Sequence, residues 1–154
     1  MIRVVLDLAL TSKTNAHVNW HVRAKTAKDQ RAAAVAALAP TPVPEFPLVV
    51  LLTRVAPRAL DDDNLRGAFK SVRDGVADWL GVPDNDPRVR WEYNQAKGQP
   101  KQHAAVVDVV AECSCVLECR EGGSIGRCGL APRDVLQARV MRLERAQLAP
   151  VGAP

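Results

Sequence analysis

"LVVLLTRVAPRALDDDNLRGAFKSVRDGVADWL", residues 48–80, is the stretch on which the fold turns. Residues 48–55 form a short, mostly apolar run of strand length, the pattern of a buried β-strand. After Pro57 the run Asp61-Asp62-Asp63 opens a helical segment that reaches about Leu80, where Gly81 and Pro83 stop it. Gly75 is a candidate kink or early end. One acidic residue serves a helix N-terminus adequately, so three in a row pose a question of charge. Asp61 and Asp63 are two apart in a segment leaving a strand, which lets both carboxylates point the same way. A hard cation such as Mg²⁺, held by one or two carboxylates plus water and phosphate, would neutralise them.

Outward from this unit, Val4, Leu6, Leu8 and Leu10 alternate with Val5, Asp7 and Ala9, which predicts a strand over 2–10. A polar, basic loop follows, carrying Lys13, His17, His21, Arg23, Lys25, Lys28 and Arg31. Alanine-rich 27–38 predicts a helix, and the proline-rich 39–47 a connector. Beyond the acidic helix, 88–96 and 103–113 read as two strands joined by a hairpin-like turn at "KGQPKQ". Residues 132–148 read as an amphipathic helix with Leu136, Val140 and Leu143 on one stripe. The order β-α-β-α-β-β-α predicts an α/β (α+β) protein with a small mixed sheet packed against helices. Residues 1–112 form the expected main domain; the Cys-rich segment and last helix, 113–154, are expected to pack on it.

The length of 154 residues suits one ordinary domain, and 47% hydrophobic content allows a real core. Because only 4% is aromatic, that core rests on Val, Leu, Ile and Ala. A net charge of +4 leans toward polyanionic partners. The N-terminus has no signal-peptide pattern, and no apolar run approaches a membrane span, so the expectation is an intracellular protein without a membrane partner. Cys113, Cys115, Cys119 and Cys128 are spaced Cys-x-Cys-x₃-Cys-x₈-Cys. They are either free thiols or a structural Zn²⁺ site.

A second acidic group, Asp84 and Asp86 in "PDNDPRV", follows the helix. Ordinary capping and turn chemistry explains both groups separately. Together, however, the stretch from Arg58 to Val89 resembles the RusA family of Holliday junction resolvases. That family's pattern is Asp-x-Asp-Asn-Leu, a lysine on the following helix, and a paired acidic turn leading into a strand. Here those elements are Asp61, Asp63, Asn64, Leu65, Lys70, Asp74, and Asn85 and Asp86 before Val89, with Asn15 matching an early loop residue. The resemblance covers roughly residues 2–112. It departs from the family at Gly67, where the lysine usually stands, and at Asn85, where a second Asp is common. Asp84 and Asp86 are therefore rivals, with the register of "PRV" favouring Asp86.

The resemblance implies a Mg²⁺-dependent endodeoxyribonuclease, with Mn²⁺ an alternative ion, acting on branched DNA such as a four-way junction. Asp61, Asp63 and Asp86 would hold the metal, and Lys70 would position or stabilise the phosphate. Lys13, Asn15, Arg23, Lys25, Arg58 and Arg88 are the expected DNA contacts, with Arg54 and Arg90 nearby. An unbroken helix from Asn64 to Leu80 would be about 25 Å long, and six further residues reach back at most about 20 Å. Either the helix breaks near Gly75, or a partner subunit donates Asp86. A homodimer is expected in any case, since a symmetric junction needs two cuts. The alternative is a catalytically silent DNA-binding or scaffold protein on the same fold.

Overall fold

The computed structural model describes residues 1–11 and 19–111. Six elements run in the order β1 (Ile2–Leu6), α1 (Trp20–Leu38), β2 (Leu48–Ala56), α2 (Asp62–Leu80), β3 (Val89–Lys97) and β4 (Ala104–Ala111). The strands form one mixed sheet in the order β1-β4-β2-β3. This is the α+β architecture expected, with the last expected helix lying outside the described residues.

β2 is buried along its whole length. An apolar run on both pleats demands a central slot, and β2 has one, between β4 and β3. It runs parallel to β3, from Leu48 opposite Val89 to Ala56 opposite Lys97, and α2 makes the crossover. The helix presents Leu65, Ala68, Phe69, Val72, Val76 and Leu80 as its buried face. They share one core with Leu48, Val50 and Leu52 of β2, Val107 and Val109 of β4, and Ala34 and Leu38 of α1.

Gly75 neither kinks nor ends α2, which continues unbroken to Leu80. It is the point where α1 crosses: a Cβ there would lie 2.5 Å from the Arg31 carbonyl oxygen and 2.9 Å from Ala34 Cβ. The crossing is tied by a bidentate ion pair from the Arg31 guanidinium to Asp78. α2 ends at Gly81, whose φ of 69° is left-handed; Gly81 N–H donates to Asp78 O and Val82 N–H to Ala77 O.

Two other expectations are corrected. Residues 20–26 are helical rather than loop, because Asn19 caps α1 by accepting the His21 N–H at 3.0 Å. Nor do β3 and β4 form a hairpin. Val-rich β4 pairs antiparallel with both β1 and β2, while β3 keeps an edge. The connecting turn passes the end of β2, where Gly98 N–H donates to Ala56 O at 3.0 Å. On β4, buried Asp108 lies directly opposite Arg3 and takes its guanidinium through bonds of 2.6 and 2.9 Å.

Candidate functional site at the carboxyl ends of the parallel strands

β2 and β3 end together at Ala56 and Lys97. From there the chain leads through Pro57–Leu60 to Asp61, the N-cap of α2. Open α/β sheets commonly bind ligands just beyond such carboxyl ends. Gln95 fixes the exit loop from the next strand: its Oε1 accepts the Leu60 N–H at 2.8 Å and its Nε2 donates to Leu60 O at 2.6 Å.

The three aspartates divide the work. Asp61 caps the helix, its Oδ1 accepting the Asn64 N–H at 2.9 Å and its Oδ2 the Asn64 side-chain amide at 2.8 Å. Each oxygen of an ionised carboxylate has a second lone pair, so capping leaves Asp61 able to face a cation. Asp62 and Asp63 are exposed in the first turn and make no hydrogen bond or ion pair with another described residue. Their negative charge is favoured by the positive end of the helix dipole.

The other expected members are not brought to this mouth within one chain. Asp86 precedes β3, at the opposite end of the strand; nine strand residues separate the two acidic groups by on the order of 25 Å. Its side chain is also engaged. Asp86 Oδ1 accepts the Arg88 backbone N–H at 2.8 Å and Arg88 Nε at 3.0 Å, and Oδ2 accepts the other guanidinium arm at 2.8 Å. These bonds hold the Asp86 pKa down to about 2. Asp84, its rival, faces Arg73, with Nε 3.6 Å from Oδ2, and its carbonyl accepts from the same guanidinium. Among the described residues, no three His, Cys, Asp or Glu side chains gather as a metal-holding group. Asp61 to Asp63 neighbour one another at the mouth of α2 without forming such a group, and the set Asp61, Asp63 and Asp86 does not assemble within one chain.

Lys70 lies on an exposed face of α2, seven residues from Asp63, about 10 Å along the axis. Its Nζ sits 3.3 Å from Asp74 Oδ1, directed away from the acidic mouth. Arg88 is occupied by Asp86 and rests over the Phe46 ring at 4.6 Å. Arg90 pairs with Glu92 at 3.3 Å. Arg23 and Lys25 are on the first turns of α1, which carry no buried face; Trp20 there is 68% exposed and stacks on His21 at 3.5 Å. Lys13, Asn15 and the four cysteines lie outside the described residues.

Two cations at the mouth have roles that the sequence does not display. Arg54 was noted only as a neighbour of the acidic cluster, yet it is just 6% exposed. Its Nε donates to Leu10 O at 2.8 Å and its NH1 to Arg58 O at 2.7 Å. Burial lowers its pKa, and no carboxylate among the described residues compensates it. A lone charge inside an apolar strand was the available signal. Lys97, at the end of β3, carried none.

The chain matches no protein-family model and no curated protein. No described helix is long and apolar enough to cross a membrane.

Proposed function

We propose that this chain is a divalent-metal-dependent, structure-selective endodeoxyribonuclease that cuts four-way or otherwise branched DNA by phosphodiester hydrolysis and works as a homodimer. One observation carries the reading. Three adjacent carboxylates stand exposed at the carboxyl ends of β2 and β3, beside Arg58 and Lys97, which have no anionic partner among the described residues. Carboxylates beside free cations suit a phosphodiester, whose hydrolysis needs an oxygen-bound metal and an anchored anion.

Asp61 and Asp63, with Asp62 between them, would hold Mg²⁺ or Mn²⁺ together with water and phosphate oxygen. A bound ion of this kind polarises a non-bridging oxygen and lowers the pKa of an attacking water. Because α2 is unbroken, Asp86 would join them from a partner subunit, and Arg88 would have to release that side chain. Lys70 likewise leaves Asp74 to reach the phosphate; an exposed i,i+4 pair costs only about 0.3–0.5 kcal/mol to break. Arg23 and Lys25 extend the basic surface along α1 toward a second DNA arm.

The Arg88–Asp86 clamp favours a second reading, a DNA-binding protein that does not cut. A synthetic four-way junction incubated with Mg²⁺ or with chelator separates the two. The nuclease reading expects metal-dependent strand cuts that Asp63→Asn abolishes while junction binding persists. An intact junction at every metal concentration, with binding retained, leaves the silent reading standing.

A further inference from the structure

A cleft of about 410 Å³ opens beside the acidic mouth, between the 56–59 exit of β2 and the last residues of β3, Gln95 to Lys97. We propose that this cleft seats a backbone phosphate of the DNA next to the one being cut, held by Arg58 and Lys97. The proposal rests on the nuclease reading for the identity of its ligand.

Three observations support it. Several cations of the fold are neutralised at home: Arg3 by Asp108, Arg31 by Asp78, Lys70 by Asp74, Arg73 by Asp84 and Arg88 by Asp86. Arg58 and Lys97 line one cleft, both exposed, with no such partner among the described residues. Bonded to the Arg58 carbonyl is Arg54, which is buried and lacks any described carboxylate. A buried guanidinium without a counter-charge projects a positive potential into the neighbouring concavity, where an anion relieves it. Finally, the wall is pinned to the exit loop. Both amide atoms of Gln95 grip Leu60, so the cleft and the Asp61 cap, one residue further on, keep a fixed spacing. A phosphate in the cleft would hold the strand in register with the carboxylates, which is the positioning that phosphoryl chemistry requires.

The test is the salt dependence of binding to a fluorescent four-way junction, read by anisotropy in chelator so that no strand is cut. Each lost phosphate contact flattens the plot of log affinity against log salt by about 0.9. The double variant Arg58→Gln with Lys97→Gln empties one phosphate seat per chain and is therefore expected to flatten it by about 0.9 per bound chain, about 1.8 for a dimer, and Arg58→Lys with Lys97→Arg to keep the wild-type slope. Both side chains are exposed, and an unchanged circular dichroism spectrum verifies the fold. A double variant with the wild-type slope and affinity overturns the cleft, even if the wild type cuts DNA. A flattened slope in a protein that never cuts supports the cleft and removes the nuclease. Absence of any junction binding by the wild type overturns both.

Discussion

If the cutting site is shared between subunits, two dead variants should repair each other. Asp63→Asn removes a carboxylate at the mouth of α2, and Asp86→Asn removes one before β3. Within one chain these positions are on the order of 25 Å apart, while a Mg²⁺ ion reaches its ligands at about 2 Å, so they cannot serve one ion in cis. In a two-fold dimer each site takes Asp63 from one chain and the partner subunit's Asp86. Each variant alone leaves both sites damaged. A mixed dimer concentrates both lesions in one site and leaves the other intact. With random exchange of an equal mixture, half the dimers are mixed and one site in two is whole, so about a quarter of wild-type sites return. The assay is single-turnover nicking of a labelled junction on a denaturing gel, after co-expression to allow exchange. A mixture no more active than either parent would refute the shared site, as would full activity of Asp86→Asn alone.

Further outcomes follow from the same geometry. Asp61→Ala should cost about 1 kcal/mol through loss of the α2 cap, whereas Asp61→Asn, which caps comparably, should hold its melting temperature and still lose cleavage. A thermal melt beside the nicking assay separates these two jobs. Gly75→Ala should destabilise by about 1–3 kcal/mol, because its methyl meets the Arg31 carbonyl; an unchanged denaturation midpoint would mean that α1 does not cross there. Arg88→Ala should raise the Asp86 pKa from about 2 toward 3.8, read by carbon-detected NMR titration. Since the folded pKa lies below the usual value, the stability contributed by this pair is present above pH 4 and fades as pH falls toward about 2. The variant, which keeps only the backbone N–H bond to Asp86, should show a smaller loss over that window.

How much of this was legible in the sequence depends on what each residue has to respond to. β2 was readable because its apolar residues occupy both pleats, and α2 because its cap, apolar face and terminal glycine agree. The first turns of α1 carry no buried residue, with Trp20 and Val22 more than half exposed, so there was no apolar period to read and only Asn19 marked the start. "KGQPKQ" has the length of a hairpin turn. What sends β4 past β3 is the demand of its valines for cover on both faces, a tertiary matter. At the site, the cluster of carboxylates was plain, but not that Asn64 engages Asp61 or that Arg88 clamps Asp86. Gly75 reads in the sequence as a kink or an early end, and only the position of α1 shows that it is a close helix crossing.

The claim beneath the whole account is that a hard cation sits at the mouth of α2. Substoichiometric Mn²⁺ added to isotope-labelled protein tests it directly, since the ion broadens the amide resonances nearest to it. Broadening should centre on Leu60 to Leu65 and, in the dimer, extend to Asp86–Arg88, and Asp63→Asn should weaken it at both places. Unaltered resonances at Leu60–Leu65 while Mn²⁺ broadens another part of the protein would contradict the account.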